Sequence, residues 1–270
     1  MSIKERIKVI ITDLDGTLLN NNHQVSEFTK TVFRQLSDEN YLIIVATGRH
    51  HLDAIPLLED LGCPFYLVTS NGGRIHSPEK ELLFAFDIKS ESIKSILDLG
   101  IEPEFTTVLF QEHSWLSNKV NEKLNSFQEE MHYPNEIVDF NKIADLSAIK
   151  LFFTHDQHHK LVELKERIMQ DHSNEFHSAF SLPFCLEFMD KSVDKSVAIA
   201  KILEIENYTF ENAIAFGDGF NDERMLIAAG KSLIMENAVE SLKNKLPHLE
   251  VISSNEKDGV ARYLSALLSS

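Results

Sequence analysis

With two cysteines in 270 residues, the sequence has no disulfide framework, and Cys63 and Cys185 offer no metal-ligand spacing either. Long apolar runs are also missing. No stretch approaches the roughly 20 residues that a bilayer-spanning helix needs. The opening MSIKERIKVII is too short and too charged before its apolar run to read as a signal peptide, so the cytoplasm is the expected location. Positive charge is scarce: 26 Lys and Arg stand against 42 Asp and Glu, a net −16. Such a surface repels nucleic acid and anionic membranes, so neither is expected as a partner. It would repel an anionic substrate as well, and any anion site has to be made attractive locally.

Apolar content is ample for a core, and the length allows one large domain or two smaller ones. Short apolar runs read as strands buried on both faces: KVIIT (8–12), LIIVAT (42–47), YLVTS (66–70), AIAF (213–216), SLIM (232–235) and EVIS (250–253). Helix patterns lie between several of them. SEFTKTVFRQLSDEN opens on a capping serine and spaces Phe28, Val32, Phe33 and Leu36 at helical intervals. DKSVAIAKILEI opens on Asp194 as a cap, and NDERMLIAAG closes on Gly230. The alternation predicts an α/β core, a Rossmann-like parallel sheet with helices on both faces. The middle differs. FTTVLF and SWLS precede a helix pattern over 119–131. AIKLFFT then precedes a helix from about 157 to 171, followed by FHSAFS and FCLEFM. Strands grouped with a helix, twice over, predict an α+β domain inserted at 84–190 into a core formed by 1–83 and 191–270.

Four stretches carry chemistry. DLDGTL sets Asp13 and Asp15 at the end of the first strand, where ligands bind in open α/β sheets. An EF-hand calcium loop does not fit, because Thr17, Leu18 and Gln24 occupy its fifth, sixth and twelfth positions. ATGR offers the Thr47 hydroxyl and the open backbone of Gly48 at a strand-to-helix turn, groups suited to phosphate oxygens. Lys195 sits at a helix start, where a cation opposes the macrodipole, which implies a nearby anion; Lys191 is an alternative on spacing alone. FGDGFNDERML adds Asp218 and Asp222, with Asn221 between them. Carboxylates at two strand ends call for a hard cation, and Mg2+ suits oxygen ligands beside phosphate.

In this order, each after a strand, the four stretches resemble the haloacid dehalogenase superfamily, and the place of the insertion resembles its Cof-type subgroup with a C2B-type α+β cap. ATGRHHLDA, VTSNGGRIH, CLEFM, AIAFGDGFNDERML and LEVISSN are most similar to bacterial phosphatases of pyridoxal phosphate and sugar phosphates. The resemblance covers essentially the whole chain. It implies a Mg2+-dependent phosphohydrolase acting on a small phosphorylated metabolite through an aspartyl-phosphate. Asp13 is then the nucleophile and Asp15 the general acid/base. Leu14, Thr47, Gly48, Lys195 and Asn221 meet the phosphate. Asp13, Asp218 and the Asp15 carbonyl hold the metal, with Asp222 in support. The chain departs from the family at Ser196 and Glu236, where glycine is common.

Two rival functions stand beside this one. A phosphomutase on the same scaffold returns the phosphoryl group to substrate. A non-catalytic sensor of phosphometabolites only binds, but the nucleophile and lysine are both retained. The inserted domain is expected to choose substrate, with His113, Trp115, His132, Tyr133 and Phe184 as candidate lining residues.

Overall fold

The computed structural model describes residues 6–122, 124 and 134–269. They divide into two compact units, 1–85 with 194–270, and 86–193.

The first unit opens with β1 (Val9–Thr12), four buried residues, and a tight turn over Leu14–Leu18. Then come α1 (Glu27–Asp38), β2 (Leu42–Ala46), α2 (His51–Leu58), β3 (Tyr66–Thr69), β4 (Arg74–His76) and β5 (Leu82–Ala85). Ser26 caps α1, its Oγ accepting from the Thr29 N–H at 3.1 Å. The buried face of α1 is Thr29, Val32, Phe33 and Leu36. Phe28, expected among them, is 40% exposed and carries the Arg262 guanidinium 5.7 Å from its ring centroid. Residue 29 falls one position closer to the centre of the stripe, and its small hydroxyl reaches Asp258.

The second unit contains α3 (Ser90–Leu97), β6 (Thr106–Phe110), β7 (Trp115–Ser117), β8 (Asn135–Ile137), β9 (Lys150–Thr154), α4 (His158–His172), β10 (Phe176–Leu182) and β11 (Cys185–Asp190). Its sheet runs β10-β11-β9-β6-β7-β8. Leu109, Leu151, Phe153, Leu161, Ile168 and Phe188 share its core. Trp115 is not part of that cluster; it neighbours Leu116 along β7 and shares the other face of the sheet with Phe110 and Phe152. It is fully buried and stacks on Phe110 with centroids 5.6 Å apart, so it has no surface to line a binding site. His113 is exposed and Phe184 half-buried. The helix expected over 119–131 falls mostly outside the described residues, as do His132 and Tyr133.

The chain returns to the first unit through α5 (Lys195–Ile205), β12 (Ala213–Gly217), α6 (Glu223–Ala228), β13 (Lys231–Met235), α7 (Glu240–Lys245), β14 (Glu250–Ile252) and α8 (Gly259–Leu268). Its eight-stranded sheet runs β14-β13-β12-β1-β2-β3-β4-β5. Pairing is parallel from β14 through β3, and antiparallel for β4 and β5. The parallel core expected from sequence is present, and an antiparallel hairpin, β4 and β5, extends it at one edge. Only residues 70–73 join β3 to β4, too few for the crossover that a parallel neighbour requires. From β1 the order proceeds outward through β2 and β3 on one side and through β12, β13 and β14 on the other. That reversal is a topological switch point, the place where open α/β sheets bind ligands. Among the described residues no helix is long and apolar enough to cross a membrane.

Replacing Ser26 with alanine should lower stability by about 1 kcal/mol, and with glycine by only a few tenths. Urea unfolding of the two variants and the wild type measures the difference.

Candidate active site

The carboxyl ends of β1, β2 and β12 meet around a cavity of about 350 Å³. Asp13, Asp15, Thr47, Gly48, Arg49, Asp218, Gly219 and Asn221 line it. Asp13 continues the β1 ladder, its N–H donating to the Phe216 carbonyl at 3.0 Å, and its carboxylate is nearly fully buried. The turn that follows needs Gly16. That residue has φ +75°, and a Cβ there would stand 2.4 Å from Asp218 Oδ2. The close approach brings the two strand ends together, and Thr17 Oγ donates to Asp218 Oδ1 at 2.9 Å. Leu14 turns its side chain into the core, leaving only its main chain for a ligand.

Lys195 lies under the cavity, 1% exposed. Its Nζ donates to Asp13 Oδ1 at 2.5 Å and to Asp222 Oδ1 at 2.7 Å. The anion implied by a lysine at a helix start is therefore this pair of carboxylates. Lys191 points elsewhere, donating to the Ser173 carbonyl in the second unit. Asp194 caps the helix, accepting from the Ser196 N–H at 2.8 Å and from its hydroxyl. A glycine at 196 could not supply that second bond. Asp222, fully buried, also accepts from the Asp218 and Gly219 N–H groups at 3.0 and 2.9 Å, fixing the turn after β12.

Asp15 faces another way. Arg49 Nε and Nη2 clamp its carboxylate at 2.7 and 2.6 Å, and His23 Nδ1 lies 3.3 Å from the same group. Thr47 uses its N–H in the sheet, donating to the Val68 carbonyl. Its hydroxyl oxygen accepts from the Arg49 N–H at 3.1 Å and keeps its own proton available for a ligand. Asn221 is exposed at the rim.

The haloacid dehalogenase-like hydrolase family matches residues 10–264. The chain belongs to that family. A Yersinia pseudotuberculosis relative named HMP-PP phosphatase is 33% identical, over 96% of this chain and 94% of its own. Among solved structures, a Thermotoga maritima protein aligns with a TM-score of 0.85 at 26% identity, covering 96% of this chain and 97% of its own. A haloacid dehalogenase-like hydrolase from Bacteroides thetaiotaomicron aligns at 0.84 and 23% identity, over 97% of this chain and 99% of its own, and bears on the fold alone. The enzyme is a phosphatase of the haloacid dehalogenase type.

In this hydrolase Asp13, Asp218 and Asp222 offer carboxylate oxygens that all lie within 4.8 Å of one another. Burial raises the Asp13 pKa well above the usual range, and repulsion from Asp222 adds to it against the pull of Lys195. Burial likewise pushes Asp218 up to about 6, opposed by the Thr17 hydroxyl and reinforced by Asp222. Burial alone would lower the Lys195 pKa, but Asp13 and Asp222 outweigh it and hold the ammonium charged. One ammonium among three carboxylates leaves the cluster short of positive charge. A donor set of crowded hard oxygens at a strand end fits a small hard cation.

Several residues in this arrangement had no role in the sequence reading. Arg49 was visible within ATGR, but nothing local says that it reaches Asp15. Thr17 likewise lies within DLDGTL. Asn237, next to Glu236, donates to the Gly16 carbonyl at 2.7 Å and so steadies the first turn from a third strand end. Glu236 accepts from Lys257 and from the Ser254 N–H, contacts that glycine could not make.

Lys195→Met, similar in length but uncharged, should cost about 3–5 kcal/mol of stability at neutral pH, because it strands two buried carboxylates. Chemical denaturation reads that loss. Asp218 has the opposite sign. Its folded pKa of about 6 exceeds the 3.8 of an ordinary aspartate. The native state thus holds the extra proton across that window, and stability falls as pH rises through it. In chelator, Asp218→Asn should be more stable than wild type above pH 6, with the gain vanishing as pH falls toward 4. Thermal melts across that range check the sign.

Proposed function

We propose that this phosphatase is a Mg2+-dependent hydrolase of small phosphomonoesters, acting through an aspartyl-phosphate on Asp13. The observation that carries the reading is the buried Lys195 ammonium between Asp13 and Asp222, directly below a cavity walled by Thr47, Gly48 and Asn221. A base of carboxylates and lysine with a rim of hydroxyl, backbone and amide groups suits a phosphoryl group entering from above.

Lys195 holds Oδ1 of Asp13, which leaves Oδ2 to attack phosphorus. The P–O bond to the leaving group breaks as the Asp13–phosphorus bond forms, and Asp15 gives its proton to the departing alcohol. For that, Asp15 must first take up a proton from solvent and exchange the Arg49 guanidinium for the ester oxygen. In the second half, Asp15 takes a proton from water as the water oxygen attacks the acyl phosphate, releasing inorganic phosphate and restoring Asp13. Thr47, Gly48, Asn221, Lys195 and the main chain at Leu14 bind the phosphoryl oxygens. Asp13, Asp218 and the Asp15 carbonyl would hold Mg2+, and Asp222 would fix the lysine and the turn that carries Asp218. When bound, the cation supplies the positive charge that the cluster lacks, and stabilises charge on the transferring group.

Residues 84–190 are read as the substrate-choosing cap, because the groups lining the core cavity suit a phosphoryl group and a cation, and none of them is apolar enough to recognise a particular leaving group. Pyridoxal 5′-phosphate and hexose 6-phosphates are the substrates that the family resemblance suggests, and the name of the Yersinia relative adds HMP-PP to the set to be tried.

The test is a panel of these compounds with p-nitrophenyl phosphate and a phosphopeptide, with and without Mg2+. Small esters should turn over only with metal, and the phosphopeptide should not. Asp13→Asn should lose at least about a thousandfold in kcat. Retention of activity in that variant sinks the covalent route. Transfer of phosphate to a second sugar instead of water would mark a mutase.

A further inference from the structure

The loop after β3 holds its backbone in an unusual shape. Ser70 and Asn71 have φ of +50° and +57°, although neither is glycine. Two successive non-glycine residues in the left-handed region persist only where their surroundings fix them, and such spots cluster at functional sites. Here the fixing groups are two main-chain carbonyls of the neighbouring loop. The Ser70 N–H donates to the Arg49 carbonyl at 2.8 Å, and the Asn71 N–H to the Thr47 carbonyl at 3.0 Å. Both acceptors belong to the loop that walls the cavity.

This backbone delivers one side chain to the cavity wall. Asn71 Oδ1 accepts from Asn221 Nδ2 at 3.0 Å, a link across 150 positions of sequence. The same carboxamide lies so close to Gly48 that a Cβ there would stand 3.1 Å from its oxygen. Asn71 is therefore wedged between the two loops that carry Gly48 and Asn221, while Asn221 itself is exposed. An exposed amide rotates freely, and its ordering counts against any ligand it binds. An amide nitrogen carries two hydrogens. With one given to Asn71, the other has a fixed direction.

We propose that Asn71 is a positioning residue for phosphate recognition: it orients the Asn221 amide before the phosphoryl group arrives. The proposal rests on reading Asn221 as a phosphate ligand.

Asn71→Gly tests it. Glycine adopts the left-handed backbone without strain, so the loop keeps its path and only the carboxamide is lost. The expected result is a two- to tenfold fall in kcat/KM for p-nitrophenyl phosphate, about one hydrogen bond's contribution. The inhibition constant for inorganic phosphate should rise by a similar factor. In an Asn221→Ala background the same change should have no further effect. Asn71→Ala removes the same acceptor, and serves if the glycine variant does not fold. Wild-type kcat/KM in folded Asn71→Gly, or an equal loss in both backgrounds, overturns the proposal. If Asn221→Ala alone leaves kcat/KM and phosphate inhibition unchanged, Asn221 is not a phosphate ligand and the proposal falls with that assignment. The hydrolytic reading is then still judged separately, by Asp13→Asn.

Discussion

A single buried ammonium organises this fold's working end. Lys195 sits at the first turn of α5, the wrong end of a helix for a cation, with its charge removed from water. Both costs are offset because its Nζ reaches Asp13 at the end of β1 and Asp222 in the turn after β12. Three segments far apart in sequence are tied at one point. Asp222 extends the tie by accepting from the backbone of Asp218 and Gly219, so the turn that presents Asp218 inherits its shape from the same bond network. Asp218 then approaches the Gly16 turn so closely that no side chain fits there. Remove the ammonium and each of these placements loses its reason.

The parts legible in the sequence were those where one physical signal dominates. Strands β1, β2, β3 and β12 are buried on both faces and read as short β-branched runs, because parallel strands under two layers of helix have no polar alternation to confuse them. Ser26 and Asp194 were legible as caps for the same kind of local reason. The edge hairpin was not. β4 is Arg-Ile-His, three residues buried despite two polar side chains, and β5 is largely exposed, so neither carries a core pattern. Helix α2 contains Pro56, which argues locally against a helix and is tolerated near its middle. Trp115 showed the limit of residue-type reasoning. A lone tryptophan invites a binding role, but the second unit spends it on packing.

The candidate site divides along the same line. Asp13, Asp15, Thr47, Lys195, Asp218 and Asp222 are visible because each follows an apolar strand or opens a helix, and chemistry limits what such residues can do there. Arg49 and Asn71 were visible as letters but not as partners. Their meaning lies in contacts spanning 34 and 150 positions, to Asp15 and Asn221, and no periodicity encodes that. What does hint at them is backbone chemistry: a glycine where a carboxamide presses, and non-glycine residues at positive φ.

The acidic balance of the chain looks unsuited to binding a phosphate, and the site's own charges sharpen the difficulty. Around the cavity stand four carboxylates, Asp13, Asp15, Asp218 and Asp222, and two cations, Lys195 and Arg49. Both cations are already in contact with carboxylates of that set. Were all six ionised, the sum would be two minus four, or −2, and a phosphate dianion brought there would meet net repulsion, strengthened by the low dielectric of a buried site; burial already resists that state by raising the pKa values of Asp13 and Asp218. The hydroxyl of Thr47 and the amide of Asn221 bring dipoles but no charge. Attraction must therefore come from rearranging or adding charge. Release of Arg49 from Asp15 would turn one cation toward the anion, and a divalent cation on the Asp13–Asp218 side would cancel the remainder. Any cation that neutralises the cluster also favours the anion, and by linkage the anion favours the cation to the same degree. The long-range repulsion of the surface would then be tolerable, because affinity would be built within a few ångströms of the carboxylates and largely independent of the field outside.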